Sequence, residues 1–204
     1  MNRLRLLFLF LACGGGLAAA GPTIVFLGDS LTAGYGLQNP AAEAYPALIQ
    51  EKLHAAGLPH RVVNAGISGD TTAGGLRRLN WLLRQPVDVL VIALGGNDGL
   101  RGLDPAVTRA NLQGIIDRTR AKYPAARLVL AGMQMPANMS EDFTRTYREI
   151  FPELAKANNI ALIPFLLEGV GADPALNQPD LIHPTAEGQK RIADNVWPWL
   201  QTVL

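Results

Sequence analysis

Two residues near the carboxyl end of the chain have the types and spacing of an acid–base pair. Asp180 and His183 lie three positions apart, close enough for the carboxylate to hold one ring nitrogen while the other nitrogen faces outward. An imidazole oriented in this way is a general base. It can take the proton of a serine hydroxyl, which is a weak nucleophile by itself. Ser30, at a predicted junction of strand and helix, is the serine that we expect it to activate.

Acyl transfer also needs donors for the negative oxygen of a tetrahedral intermediate. The candidates are the backbone amides of Ser30 and Gly66 and the side-chain amide of Asn97. Glycine at position 66 would let the backbone approach a substrate with no side chain in the way. The residues therefore predict an oxyanion hole formed by Ser30, Gly66 and Asn97.

Short, β-rich apolar runs alternate with segments of helical periodicity, which is typical of a parallel sheet covered by helices. Five strands are predicted, at residues 23–27, 61–65, 87–94, 127–132 and 161–165. The first three run into the polar loops Gly28-Asp29-Ser30-Leu31, Gly66-Ile67-Ser68-Gly69-Asp70 and Gly95-Gly96-Asn97-Asp98. Because ligands bind at the carboxyl ends of parallel strands, we expect these loops to meet in one crevice.

Helices are predicted between the strands, at residues 44–56, 71–84, 104–123 and from Ser140 through Leu154, and after the last strand at about 185–201. Asp104 and Pro105 supply an N-cap and a first-turn proline. Pro152 is expected to kink or restart the fourth helix. The predicted order is βαβαβαβαβα in a single domain, residues 21–204.

The polar blocks carry a family resemblance. VFLGDSLTAGYG at 25–36, NAGISGDT at 64–71, GGND at 95–98 and DLIH at 180–183 resemble the consensus blocks of the SGNH (GDSL) hydrolases. The chain is most similar to the bacterial exported thioesterase I, lysophospholipase and arylesterase group, and MPAN at 135–138 is also similar to that group.

The resemblance implies a flavodoxin-like three-layer α/β/α sandwich and a serine hydrolase that cleaves small-molecule carboxylic esters or thioesters, lysophospholipids among them, through an acyl-enzyme. It implies no cofactor and no metal. By position, Ser30, Gly66, Asn97 and His183 match the four residues that name the family, and Asp180 matches the third member of the triad. A carbohydrate O-acetylesterase of the same family is the alternative. Apolar loop residues favour longer acyl or aryl groups over acetyl; they are Leu100, Leu103, Met133, Met135, Met139 and Leu176.

The first twenty residues have the pattern of a signal peptide. Arg3 and Arg5 precede a short apolar run, and alanines 18–20 offer a cleavage site. Cleavage after Ala20 would remove Cys13, the only cysteine, and would send the protein to the periplasm or the medium. Lipidation at Cys13 is the alternative, although the residues before it fit a lipobox poorly.

Composition and motifs argue against other classes of protein. Loss of residues 1–20 changes the formal charge from +1 to −1, which provides no electrostatic footprint for nucleic acid, and no obligate protein partner is evident. Thr32 stands where the nucleophile elbow of an α/β-hydrolase needs glycine. Three scattered histidines predict no metal cluster. A non-catalytic, doubly wound ligand-binding module is the remaining alternative, but no complete glycine-rich phosphate loop supports it.

Overall fold

Five parallel strands form the central sheet of the protein. The structure is a computed structural model that describes residues 21–136 and 138–204. The strands are β1 (Thr23–Gly28), β2 (Arg61–Gly66), β3 (Val89–Ala93), β4 (Arg127–Ala131) and β5 (Ala161–Ile163). All of the pairings are parallel, in the order β2-β1-β3-β4-β5. This order is that of the flavodoxin-like fold, and the predicted fold class is confirmed.

The burial of the strands explains why their sequences are apolar. Every residue of β1 and β3 is buried, because helices cover both faces of the sheet. β2 lies at an edge and is partly exposed. β3, β4 and β5 are shorter than the predicted strands, and β5 ends before Pro164, which has no amide hydrogen to continue the ladder.

Eight helices accompany the strands in the described residues. Five were predicted from their periodicity, with ends that differ from the predicted ones by at most four residues: α3 (Tyr45–Ala55), α4 (Thr72–Leu82), α6 (Pro105–Lys122), α7 (Glu141–Asn158) and α8 (Ala186–Gln201). Three short helices, α1 (Ser30–Ala33), α2 (Pro40–Glu43) and α5 (Gly96–Leu100), lie in segments for which no helix bounds were predicted. Two of these, α1 and α5, follow directly on β1 and β3 and carry candidate site residues.

Side-chain caps fix the beginnings of several helices. Asp104 accepts a hydrogen bond from the amide of Ala106 (2.8 Å) at the start of α6, as its sequence predicts. Ser140 caps α7 in the same way, through the amide of Phe143. Pro152 does not restart α7, which continues to Asn158. Pro152 lies on the exposed side of the helix, where water can satisfy the carbonyl that loses its partner.

The core lies between the sheet and two groups of helices. α3 packs against α8, while α4 packs against α6 and α6 against α7. The described residues include no helix that is long and apolar enough to cross a membrane. The signal peptide predicted at 1–20, with Cys13, lies outside the described residues.

Candidate active site

The turn between β1 and α1 places Ser30 at the carboxyl edge of the sheet. Asp29 is the N-cap of α1, and its Oδ1 accepts a hydrogen bond from the amide of Leu31 (3.0 Å). Gly34 ends α1 in the left-handed conformation (φ 77°). Gln189 of α8 donates to the carbonyl of Leu31 (3.2 Å), which ties α1 to the helical layer. Ser30 therefore stands on a short helix that is held at both ends.

A single turn carries Asp180 and His183. The Asp180 Oδ1 accepts hydrogen bonds from the amides of Ile182 and His183, both at 2.9 Å, and Oδ2 contacts the His183 Nδ1 at 2.7 Å. Leu181 adopts a left-handed conformation (φ 57°), which is uncommon for leucine and turns the following amides toward the carboxylate. The backbone and ring hydrogen bonds from His183, with that from Ile182, lower the pKa of Asp180 to about 2. Asp180 is therefore ionised at neutral pH.

The outward nitrogen of His183 meets Ser30. The distance from His183 Nε2 to Ser30 Oγ is 2.9 Å, although the two residues are 153 positions apart. The structure thus brings Ser30, His183 and Asp180 into one hydrogen-bonded chain. In this geometry the imidazole can take the hydroxyl proton while the carboxylate stabilises the imidazolium that results.

Two residues for which the sequence predicted no role, Gln178 and Tyr35, hold the histidine turn against the serine loop. The backbone amide of Gln178 donates to the His183 carbonyl (2.7 Å), and its side-chain Nε2 donates to the Tyr35 carbonyl (2.7 Å). The Tyr35 ring lies against the imidazole, with 4.6 Å between ring centroids. No spacing or periodicity in the sequence indicates these long-range contacts.

Asn97 reaches the site from α5. Its Nδ2 donates to the carbonyl of Asp70 (2.9 Å) and lies 3.5 Å from Asp29 Oδ2. The distance to Asp29 is too long for a strong hydrogen bond, so the second N–H of the Asn97 side chain can still donate to a substrate. The next residue, Asp98, is buried and accepts hydrogen bonds from both the amide and the hydroxyl of Thr72. These bonds fix α5 against the beginning of α4 and so fix the position of Asn97.

Gly66 lies at the carboxyl end of β2, as predicted, but its backbone amide already has a hydrogen-bond partner. Its amide donates to Asn64 Oδ1 (3.0 Å) and is therefore already engaged. A Cβ at position 66 would lie 2.3 Å from the amide nitrogen of Ala33. The prediction of Gly66 as an oxyanion donor is corrected accordingly: glycine is required here because α1 packs directly on the end of β2.

Gly69 lies in a β-turn in the same loop, after Gly66. The carbonyl of Ile67 accepts a hydrogen bond from the amide of Asp70 (3.0 Å), and Gly69 has φ 80° at the third position of this turn. Glycine is favoured at this position of a type II turn. The hydrogen bonds of the described residues engage the Gly69 carbonyl, with Arg101 (3.0 Å), but not its amide. A glycine at the third position of a four-residue turn is the signal in the sequence that could have identified Gly69 as a candidate oxyanion donor.

Asp29, beside the nucleophile, is buried to 2% exposure. Burial raises its pKa to about 6, against the opposing effects of the Leu31 amide and the charge of His183. Its side chain caps α1 and does not bond to His183, so the interpretation of Asp29 as a residue that braces the loop agrees with its contacts.

An apolar cavity of about 380 Å³ opens beside Ser30 and His183. Three of the predicted pocket residues, Leu100, Met133 and Met135, line it, together with Phe165 and Leu167. The other three, Leu103, Met139 and Leu176, are not among its lining residues. Within 21–136 and 138–204, no three His, Cys, Asp or Glu side chains are grouped as a metal site would require.

Comparison with known proteins decides the family. The model of the GDSL-like Lipase/Acylhydrolase family matches residues 26–191, which include the serine turn, the asparagine helix and the histidine turn. The chain belongs to this family. The GDSL-like assignment confirms the family resemblance and the predicted class of enzyme, a hydrolase of carboxylic esters.

Relatives of similar length support the GDSL-like assignment. The chain is 42% identical to "Esterase TesA" of Pseudomonas aeruginosa over 187 residues, 91% of each protein. It is also 42% identical to "Thioesterase 1/protease 1/lysophospholipase L1" of Escherichia coli over 204 residues, 99% of this chain and 94% of the relative. The crystal structure of a protein named TesA superposes with a TM-score of 0.84 at 42% identity, covering 89% of this chain and 99% of the other.

Proposed function

We propose that the protein hydrolyses carboxylic esters and thioesters through an acyl-enzyme formed on Ser30. The observation that carries this proposal is the chain of hydrogen bonds from Ser30 Oγ to His183 (2.9 Å) and from His183 to Asp180 (2.7 Å) at the mouth of an apolar cavity. Acyl transfer needs a nucleophile, a base, a group that orients the base and a place for the acyl group. All four are present in one crevice.

In the first half of the reaction, Ser30 Oγ bonds to the substrate carbonyl carbon while its proton passes to His183 Nε2. The ionised Asp180 stabilises the imidazolium through Nδ1. The tetrahedral intermediate then breaks its bond to the leaving group, and His183 returns the proton to the departing alcohol or thiol. The acyl group remains on Ser30.

In the second half, water replaces the leaving group. His183 takes a proton from the water as its oxygen bonds to the acyl carbon, and it gives that proton back to Ser30 Oγ when the acyl bond breaks. The products are a carboxylic acid and a free enzyme. Each half requires the neutral imidazole at its start.

The oxyanion is received by the amide of Ser30, the Nδ2 of Asn97 and the amide of Gly69. Asn97 offers one N–H that the contact with the Asp70 carbonyl does not use. Gly69 directly precedes Asp70, so the bond from Asn97 holds the Gly69 loop beside the asparagine. Gly69 takes the role that the sequence had assigned to Gly66, since the latter's amide is engaged with Asn64.

The cavity supports alkyl or aryl acyl groups over acetyl. Its volume of about 380 Å³ is within the range of sites that enclose small molecules, and methionine, leucine and phenylalanine side chains dominate its lining. Burial of each methylene of an acyl chain stabilises binding by about 0.8 kcal/mol. The names of three relatives include esterase, thioesterase, lysophospholipase and arylesterase, which makes aryl esters, acyl thioesters and lysophospholipids the substrates to test.

The apolar start of the sequence supports export. Residues 1–20 have a basic beginning, an apolar run and small residues before position 21, as a signal peptide does. We expect the secreted or periplasmic protein to begin at Gly21. Mass spectrometry of the protein from the periplasm tests this, and a lipid attached to Cys13 would contradict it.

The decisive experiment compares Ser30→Ala and His183→Ala with the wild type on 4-nitrophenyl esters from acetate to laurate, a palmitoyl thioester, a lysophospholipid and an acetylated sugar. We expect hydrolysis of medium and long acyl groups, and its loss in both variants with the fold retained by circular dichroism. His54→Ala is the matched control, because His54 is exposed on α3. Full activity in a folded Ser30→Ala protein would refute the mechanism, and activity on acetyl groups alone would refute the substrate class.

A further inference from the structure

A partly buried ion pair lies next to the loops of the candidate oxyanion hole, outside the lining of the cavity. Arg78 Nε of α4 contacts Asp70 Oδ2 at 2.6 Å, and only 17% and 12% of the two side chains are exposed. Neither residue lines the cavity. The pair therefore has no direct contact with a substrate, and its role must be sought in what it holds.

Arg78 joins the ends of two neighbouring strands. Its Nη2 donates to the carbonyl of Gly28 (3.0 Å), the last residue of β1 and two positions before Ser30. Its Nε holds the side chain of Asp70, which closes the turn that follows β2. The planar guanidinium makes both contacts at once, as its fixed array of donors permits.

Asp70 continues the connection to the third strand. Its carbonyl accepts the hydrogen bond from Asn97 Nδ2 (2.9 Å), and Asn97 lies on α5 after β3. A single line of contacts thus runs from Gly28 through Arg78 and Asp70 to Asn97. It connects the three loops that supply Ser30, Gly69 and Asn97.

The packing around Asp70 leaves this carboxylate little freedom. A Cβ on Gly74 would lie 1.8 Å from Asp70 Oδ1, so the carboxylate occupies the space that a side chain would otherwise fill. The carbonyl of Gly28 accepts a second hydrogen bond, from the amide of Ile67 (3.1 Å), which is the first residue of the same turn. The turn is therefore tied to β1 at both of its ends.

We propose that Arg78 is a positioning residue for the oxyanion hole: by bridging Gly28 and Asp70 it holds the three donors at the spacing that the tetrahedral intermediate requires. The proposal rests on the proposed function. Displacement of a catalytic group by about 1 Å can cost about a hundredfold in rate. Substrate binding in the cavity does not use these contacts, so the loss should appear in kcat and not in KM.

The test measures kcat and KM on 4-nitrophenyl butyrate for Arg78→Met, Arg78→Lys and a control. We expect Arg78→Met to lower kcat about a hundredfold and to change KM by less than about threefold. Arg78→Lys should lose about tenfold, because a single ammonium group can pair with Asp70 but cannot reproduce the planar bridge to Gly28. Arg77→Met is the matched control, since Arg77 is the neighbouring residue of α4 and is exposed; it should retain the wild-type kcat.

A second measurement separates positioning from a structural role. An alkyl trifluoromethyl ketone adds to a catalytic serine and forms a tetrahedral adduct with a negative oxygen, so its inhibition constant reports on the oxyanion donors. We expect this constant to rise in parallel with the fall in kcat, at a temperature well below the melting transition of every variant. If Arg78→Met does not fold, Arg78→Lys and Asp70→Asn carry the test, and their effects on kcat should be less than additive.

The outcomes distinguish the two proposals. A folded Arg78→Met or Arg78→Lys with wild-type kcat would overturn the role of Arg78, as would a loss of kcat with unchanged affinity for the ketone. A wild-type protein that hydrolyses none of the esters, or a Ser30→Ala protein that hydrolyses them fully, would overturn the proposed function instead.

Discussion

The buried carboxyl of Asp29 predicts a pH-dependent change in stability. Asp29→Asn keeps an oxygen that can accept the hydrogen bond from the Leu31 amide but removes the charge. Burial raises the pKa of Asp29 from 3.8 to about 6 in the folded protein, where His183 and Asp70 are the nearby charged residues that act on it. The folded state thus binds this proton more tightly than the unfolded state does.

The sign of the effect follows from this difference in proton binding. The contribution of the Asp29 carboxyl to the free energy of unfolding is largest below pH 3.8, where the carboxyl is protonated in both states. This contribution is lost as the pH rises to about 6. A shift of about two pK units corresponds to about 3 kcal/mol. For a domain of this size, each kcal/mol changes the melting temperature by about 2–4 °C. Asparagine cannot ionise, so the variant should melt roughly 6–12 °C above the wild type at pH 7.5 and within a degree or two of it at pH 4.

Differential scanning calorimetry of both proteins at several pH values from 4 to 8 measures this prediction directly. The difference in melting temperature should develop between pH 4 and pH 6 and then stay constant. Asp117→Asn, on the exposed side of α6, is the control for loss of a surface charge and should change the stability by less than about 0.5 kcal/mol. An equal difference at pH 4 and pH 7.5, or a less stable variant at pH 7.5, would refute the reasoning.

Three further changes test other contacts. Asn97→Ala should lower kcat by about a hundredfold with little change in KM, and a change confined to KM in steady-state kinetics would contradict the role of its amide. Gly69→Ala adds a Cβ with only Arg101 nearby, at 3.8 Å, but strains a backbone with φ 80°; we expect a loss of about 1–2 kcal/mol in urea unfolding and a lower kcat. Thr72→Val removes the hydroxyl that donates to buried Asp98, which should cost about 2–3 kcal/mol by urea unfolding, and a loss below 0.5 kcal/mol would show that the bond contributes little.

The architecture could be predicted because the sheet is covered on both faces. Such strands are continuous apolar runs, and the helices between them repeat with their own period, so the type and order of the five long helices and five strands are readable. The bounds of the short helices α1 and α5 were not predicted, because four or five residues are too few to show helical periodicity. The effect of Pro152 was overestimated, since the sequence does not show that this residue faces solvent.

The candidate site was predictable where chemistry depends on residue type and local spacing. Asp180 and His183 are three residues apart, and Ser30 follows a buried strand, so the structure brings together three side chains that the sequence had singled out. The sequence could not decide between Gly66 and Gly69 as the candidate oxyanion donor. This choice depends on which amide another group has engaged, and the contact with Asn64 that engages Gly66 exists only in the folded edge of β2. Arg78 and Gln178 act over long separations and leave no local pattern.

The turn that carries both Asp180 and His183 makes the candidate acid–base pair a local unit. Local hydrogen bonds assemble the acid and the base within four residues. The long-range contacts of this turn are set by the whole fold: His183 meets Ser30, and both Gln178 and the His183 ring contact Tyr35. The acid and the base are therefore placed as one unit, and its position beside Ser30 depends on these long-range contacts. For the same reason, a partial unfolding event that displaces this turn removes the acid and the base together and leaves no half-competent enzyme.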